Sequence, residues 1–152
     1  MNPVLNRRRA MAATVGVTGS MLLARPATAT PEELQAALRE FRAGALTRAG
    51  ARITLDIAPL VDNGNAVPVT VSVDSPMSAA DHVQAIALFN EKNPQRDIAV
   101  FTLGPRAGRA HVATRMRLAT SQQIVAVARF ADGSVAQVAV DVIVTLAACI
   151  EG

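Results

Sequence analysis

The residue with the most distinctive chemistry in this sequence is Cys149, which is the chain's only cysteine and is followed by three residues. Small residues precede it and the chain ends soon after it, so little packing would hold the thiol in place. A projecting segment would make Cys149 a reactive attachment point. The alternative is that Cys149 ends a buried strand as a small apolar side chain. The segment Val142 to Gly152 by itself leaves both interpretations open.

Catalysis by this thiol would need a neighbouring base, and the sequence supplies two histidines, His82 and His111. A nucleophile close to a chain end is poorly positioned for catalysis, so we do not expect an active site or an enzyme. The histidines lie in separate segments without a spacing typical of metal ligands. The acids are isolated from one another, as in Asp56, Asp74 and Asp141. We therefore expect no catalytic residues, no metal and no cofactor.

The formal charge of +3 gives a misleading impression of a basic protein. Four of the fifteen basic residues lie in the first 29 positions, where there is no acid, so the rest of the chain carries one net negative charge. Such a chain, which also lacks Trp and Tyr, has neither the positive charge nor the stacking side chains expected of a nucleic-acid-binding protein. Its remaining arginines concentrate on one connection and the strand after it, where they form either an anion-binding face or an ordinary solvated one. They are Arg106, Arg109, Arg115 and Arg117.

Residues 1–29 have the pattern of a twin-arginine export signal. Arg7–Arg9 precede a weakly apolar stretch, and Ala27-Thr28-Ala29 predicts cleavage after Ala29. The alternative, an uncleaved membrane anchor, is disfavoured because the apolar run is well below the ~20 residues that span a bilayer. We expect a periplasmic protein with no membrane attachment. An exported chain with one cysteine cannot close an internal disulfide, which favours an intermolecular pair or a chemically used thiol.

The sequence pattern of residues 30–144 predicts one domain, in which a helix is followed by β-strands. Thr30 can cap a helix from Pro31 to Thr47, which would end near Gly50. The predicted strands are residues 52–57, 67–74, 82–90, 97–103, 110–118, 122–130 and 135–144. The third of these is compatible with a helix, but Val83, Ala85, Ala87 and Phe89 favour a strand with one apolar face. Seven short strands without crossover helices predict an all-β antiparallel sandwich, with an α/β domain as the alternative.

Several stretches together resemble the SoxY family of sulfur carriers, from the periplasmic thiosulfate-oxidising (Sox) system. The matching residues, which extend over nearly the whole mature chain, are Leu60–Pro68, Val71–Met77, Asp81–Val83, Phe89–Pro94 and Leu103–Gly108. The resemblance implies an immunoglobulin-like sandwich that forms a heterodimer with a SoxZ-like subunit. It also implies that Cys149 is the covalent attachment site for sulfur, on a flexible C-terminal arm of residues 145–152.

In that family the carrier itself catalyses nothing. The resemblance implies transient contacts with three Sox enzymes. A haem protein joins thiosulfate to the carrier thiol, a hydrolase releases sulfate, and a sulfur dehydrogenase oxidises the remaining sulfane sulfur. SoxY arms usually end Gly-Gly-Cys-Gly-Gly, whereas this arm is formed by Ala147, Ala148, Cys149, Ile150, Glu151 and Gly152. We expect a stiffer and bulkier arm, because alanine and a β-branched residue restrict the backbone more than glycine does.

Overall fold

The computed structural model of the protein describes residues 30–95 and 97–148. The predicted export signal, residues 1–29, lies outside the described residues. Within them, eight strands form two sheets and one α-helix precedes the first strand. This confirms the predicted all-β, immunoglobulin-like sandwich. In the described part of the chain, no helix is long and apolar enough to cross a membrane.

The strands occur where the alternating patterns predict them, apart from small differences at their ends. One strand, β2, has two residues and was not predicted. In chain order the elements are α1 (Pro31–Arg42), β1 (Ile53–Asp56), β2 (Leu60–Val61), a 3-10 turn (Gly64–Ala66), β3 (Val67–Val73), β4 (Val83–Asn90), β5 (Asp97–Thr102), a second 3-10 turn (Pro105–Ala107), β6 (Ala110–Met116), β7 (Gln122–Phe130) and β8 (Val135–Val144).

The two sheets enclose the main hydrophobic core. One sheet has the order β1-β3-β6 and the other β2-β8-β7-β4-β5. Neighbouring strands are antiparallel except β2 and β8, which pair in parallel over Leu60 and Val61. In β3 every second residue from Val67 to Val73 is buried, as expected for a strand with one face on the core. The short β2 brings the chain after β1 alongside the end of β8.

The central strands β4 and β7 are buried on both faces because the core covers one face and α1 covers the other. In β4, Val83 packs in the inter-sheet core, whereas Ala87 and Phe89 pack with the helix. The prediction that these side chains share one face is wrong, because the pairing register shifts between Val83 and Ala85. Such a bulge moves the residues after it to the other face.

The helix begins as predicted but ends earlier. Thr30 and Glu33 form a capping box, in which each side chain accepts a hydrogen bond from the other residue's main-chain N–H. The helix ends at Arg42, because Ala43 adopts a left-handed conformation with φ 48° and ψ 37°. The predicted end at Thr47 is therefore wrong. Thr47 instead bridges to Val135 at the start of β8.

Candidate functional site

The chain continues from β8 into residues 145–148, which we call the tail base. Its first residue is bound to the segment that follows β2. The N–H of Thr145 donates to the carbonyl oxygen of Val61 at 3.0 Å. The Thr145 hydroxyl donates to the carbonyl oxygen of Asp62 at 3.1 Å. These contacts extend the parallel pairing of β2 and β8 by one residue.

The rest of the tail base lies between the first 3-10 turn and the loop that joins β6 to β7. The N–H of Gly64 donates to Leu146 O at 2.8 Å, and the N–H of Ala148 donates to Leu118 O at 3.0 Å. The N–H of Leu118 donates to Gly64 O at 2.8 Å, so the turn and the loop are also bound to each other. The Ala148 side chain is 6% exposed. The body of the protein therefore holds the residue that directly precedes Cys149.

Gly64 lies where these three segments approach most closely. A Cβ atom at this position would be 2.4 Å from Leu118 O, 3.0 Å from Ala148 N and 3.2 Å from Val144 Cγ1. The first two are main-chain atoms, which cannot move aside without displacing the loop or the tail base. The close approach of neighbouring backbone is what requires glycine here.

Asn93 holds the loop that accepts the tail-base amide. Its Nδ2 donates to Arg117 O at 2.7 Å, and its Oδ1 accepts from the Ala119 N–H at 3.0 Å. The same Oδ1 accepts from Nε2 of Gln122, whose side chain is 4% exposed, at 2.7 Å. Because Arg117 and Ala119 flank Leu118, these bonds fix the carbonyl group that receives the Ala148 N–H.

The predicted arm residues are placed as follows. Ala147 is exposed and Ala148 is buried. Cys149, Ile150, Glu151 and Gly152 lie outside the described residues. Attachment of sulfur to Cys149 therefore stays a prediction, and so does a flexible arm from residue 145, although the described residues of that arm are hydrogen-bonded to the body.

The other candidate residues are separated from one another. His111 Nδ1 is 2.9 Å from Ser72 Oγ across β6 and β3, and His82 Nδ1 is 3.1 Å from Ser78 O ahead of β4. Within residues 30–95 and 97–148, no three His, Cys, Asp or Glu side chains come together in a way that would hold a metal ion. The isolated acids and the four clustered arginines are all exposed.

The clearest electrostatic contact follows the helix and does not involve the tail base. Both terminal nitrogens of the Arg48 guanidinium donate to the Asp81 carboxylate at 2.8 Å. These hydrogen bonds, helped by the charge of Arg48, lower the pKa of Asp81 below its usual value. The Arg48 guanidinium also lies over the Phe130 ring, 4.3 Å from its centroid. We interpret this cluster as structural, because it fastens the connection after α1 to the sheet.

Comparison with known proteins gives a family match over most of the chain. The model of the sulfur oxidation protein SoxY matches residues 38–149. The chain belongs to the SoxY family. The SoxY match ends at the position of Cys149. No curated protein matches the chain.

A solved SoxY structure agrees with the family assignment, and other solved structures share the fold. The sulfur carrier protein SoxY from Chlorobium limicola f thiosulfatophilum is 25% identical and has a TM-score of 0.62, with 76% of this chain and 98% of that chain covered. A superoxide reductase (neelaredoxin) variant from Ignicoccus hospitalis is 17% identical, with a TM-score of 0.56 and 76% and 92% covered. A putative superoxide reductase from Thermotoga maritima is 16% identical, with a TM-score of 0.52 and 68% and 89% covered. The two reductases share the fold, whereas the match to the carrier supports a sulfur-oxidation carrier role for this SoxY relative.

The residues that hold the tail base were not recognised from the sequence. Leu118 was placed at the end of a predicted strand, and Gly64 and Asn93 were given no role of their own. The one signal was that Gly64 and Asn93 lie in two of the stretches that resemble SoxY, Leu60–Pro68 and Phe89–Pro94.

Proposed function

We propose that the protein carries intermediates of thiosulfate oxidation on the thiol of Cys149 and presents them to separate enzymes. The observation that carries this proposal is the SoxY family match, which extends to residue 149, the position of the only cysteine. A carrier has no need of a catalytic base beside the thiol.

The proposed chemistry divides between the carrier and its partners. A haem enzyme removes two electrons and one proton while the thiol and thiosulfate join through a new S–S bond. Water then cleaves the terminal sulfonate group as sulfate, which leaves a sulfane sulfur on Cys149 for a sulfur dehydrogenase. The carrier supplies the nucleophilic thiolate and the covalent link. Glu151 lies two residues from Cys149 in the chain, so we expect its negative charge to disfavour the thiolate.

The assembly and location are part of the same proposal. We propose a heterodimer with a SoxZ-like subunit, transient contact with the Sox enzymes, and export to the periplasm by the twin-arginine route. The proposal includes no role in binding membranes or nucleic acids. The support is the SoxY membership together with the Arg7–Arg9 pattern ahead of a weakly apolar stretch.

Intact-mass spectrometry of the protein from thiosulfate-grown cells tests the carrier function. We expect a fraction of the protein to carry a thiosulfate-derived or sulfane adduct that reducing agents remove. A Cys149→Ser variant should lose the adduct and keep its unfolding temperature, because it replaces one small side chain with another. Wild-type protein that carries no adduct under any growth condition would overturn the proposal.

A second candidate is an exported interaction module in which Cys149 forms an intermolecular disulfide or packs as a structural residue. The burial of Ala148 and the hydrogen bond from its N–H favour this alternative, because the body holds the residue that directly precedes Cys149. Non-reducing gels and thiol-alkylation rates separate the two candidates. A cross-linked dimer, or slow alkylation with no adduct, would favour the second.

A further inference from the structure

Within the described residues the two sheets end in four edge strands, and β6 is the least protected of them. β1 has four residues and β2 has two, so each offers few free main-chain groups. β5 has six residues, and its pairing with β4 is interrupted by a register shift at Leu88 and Phe89. β6 has seven residues, no proline, and an unbroken register with β3 from Ala110 to Met116. A long, regular edge of this kind can accept a further strand.

The main-chain groups of β6 alternate between β3 and the open edge. Directly after β3, the N–H of Asp74 donates to Arg52 O on the β1 side at 2.9 Å. Because successive residues of a strand point their N–H and C=O groups to opposite sides, Val73 points its groups towards β6, where it is paired with Ala110. By the same alternation, the residues that point their groups away from β3 are His111, Ala113 and Arg115. These groups line the open edge, where they bond to no other described residue.

The face of this edge that is turned away from the core is positively charged. Every second residue from position 109 to position 117 is exposed, so these side chains lie along one face. They form what we call the basic row, which consists of Arg109, His111, Ala113, Arg115 and Arg117. Its arginines make no ion pair among residues 30–95 and 97–148, and their guanidinium groups donate to no described residue. A strand added beside β6 would place its own alternate side chains next to the basic row, where carboxylates are favoured.

The opposite face of the same edge is apolar and incompletely covered. Residues 103–109 join β5 to β6 and cross from the five-stranded sheet to the three-stranded sheet, so these two edges lie on the same side of the sandwich. At the far side β1 lies against β8, so the narrower sheet falls short at β5. The side chains of this region that pack on the core are only partly buried, and they are Ile98, Phe101 and Leu103. A strand added beside β6 would cover them with its second face.

We propose that β6 is a docking site for an extended segment of a partner protein in which acidic and apolar residues alternate. The segment adds to the three-stranded sheet as a further strand and bonds to the outward main-chain groups of β6. Its carboxylates lie beside the basic row, and its apolar side chains pack on Phe101 and the neighbouring side chains. Arg109 and Arg117 are eight residues apart, about 26–27 Å along a strand, so their charges fit an extended chain rather than one small anion. The proposal does not depend on the carrier function.

The charge of the basic row also decides against two other occupants. A second copy of this chain could pair antiparallel through its own β6, centred on Ala113. That pairing would bring Arg109 opposite Arg117 at both ends, and like charges directly opposite one another destabilise a strand pair. The first 29 residues of the chain contain four arginines and no acid, so they do not complement the row either.

Titration of the isotope-labelled mature chain, residues 30–152, with synthetic peptides tests this by NMR. The probe is a short peptide in which Glu and Val alternate, and its control has Lys in place of Glu. We expect the Glu peptide to bind about tenfold tighter or more than the Lys peptide, because only its charges complement the basic row. Binding should slow hydrogen exchange at the amides of His111, Ala113 and Arg115 and leave the amides of β5 unchanged.

Two variants separate the contribution of charge from that of the main chain. Arg115→Glu replaces an attraction with a repulsion and should weaken binding of the Glu peptide about tenfold. Arg39→Glu makes the same change on α1, which covers the other sheet, and should alter the affinity less than about twofold. Ala113→Pro removes an outward N–H and keeps the bonds to β3, as edge strands tolerate. It should weaken binding about fivefold, and Arg115→Glu keeps the test valid if the proline variant does not fold.

Several results would overturn the proposal. Equal affinities for the two peptides, or equal effects of Arg115→Glu and Arg39→Glu, would show that the basic row does not select the occupant. Slower exchange at β5 instead of β6 would show that the site is wrong. A wild-type homodimer that Ala113→Pro dissociates would assign β6 to a second copy of the chain. No binding of the Glu peptide would mean that the arginines only protect the edge from pairing.

Discussion

The helix α1 precedes the strands of the sandwich and the tail base follows them, and the two segments are attached to the sandwich by different means. The helix buries Leu34 and Leu38, which are 2% and 4% exposed, and its Phe41 ring lies edge-on to Phe89 with centroids 5.7 Å apart. The tail base is bound mainly through main-chain hydrogen bonds, with one more from the Thr145 hydroxyl, and leaves Leu146 largely exposed. The helix α1 is therefore part of a hydrophobic core, and the tail base is bound to the surface of the sandwich.

The difference matters because one buried side chain contributes more free energy of unfolding than one hydrogen bond does. Truncation of a buried leucine to alanine costs about 2–5 kcal/mol, whereas one hydrogen bond contributes about 0.5–1.5 kcal/mol net. A segment attached by buried side chains stays in place until the domain unfolds. A segment attached by a few exchangeable hydrogen bonds can detach while the domain remains folded.

The largest effect is expected from truncation of a helix side chain in the core. Leu38→Ala should lower the free energy of unfolding by about 2–5 kcal/mol, because it leaves a cavity between α1 and the sheet. Denaturant titration followed by circular dichroism measures this. Leu46→Ala makes the same change at a side chain that is 82% exposed and should stay within about 0.5 kcal/mol of wild type. Equal losses in the two variants would contradict the assignment of α1 to the core.

A smaller effect is expected from the ionic contact after the helix. The pKa of Asp81 is lowered by its hydrogen bonds with Arg48, so this contact stabilises the fold above the unfolded pKa of about 3.9. That stability is lost as the pH falls through the lower pKa of the folded state. Asp81→Asn should therefore lower the unfolding temperature at about pH 7, and its difference from wild type should narrow towards about pH 2. A difference that stayed constant over this range would show that the charge of Asp81 is not what stabilises the contact.

The smallest effect is expected from a side-chain change in the tail base. Leu146→Gln should change the free energy of unfolding by less than about 0.5 kcal/mol and leave the Ala148 amide protected. The reason is that Leu146 contributes its carbonyl oxygen, which the substitution keeps, while its side chain is exposed. A large loss of stability or of protection would mean that the Leu146 side chain also holds the tail base.

The strands were predictable where one face meets the core and the other meets solvent. β3 is an example, because its valines alternate with polar residues and every second residue is buried. β4 was harder, since burial on both faces removes the alternation, and the bulge after Val83 depends on its pairing with β7. The predicted end of α1 was too late in the chain, because residues 46–48 hydrogen-bond to Val135 and do not continue the helix. Val135 is remote in the sequence, so the local pattern gave no sign of this pairing.

The sequence alone singled out Cys149, whose role stays a prediction, and it did not indicate the contacts that hold Ala148. The contacts that hold Ala148 join Gly64, Leu118 and the tail base, three segments far apart in sequence. They use main-chain atoms, which every residue carries, so they leave no pattern of side-chain types. Asn93 is equally hidden, because a single amide in a polar loop gives no indication of what it binds.

The attachment of Ala148 to the body also affects the local concentration of a group carried on the residue that follows it. A tethered group is present at an effective concentration that falls roughly as the −3/2 power of tether length. Cys149 is five residues from Val144 and one from Ala148. A group carried on Cys149 would therefore be about tenfold more concentrated at a surface beside Ala148 than if the chain were attached only as far as Val144.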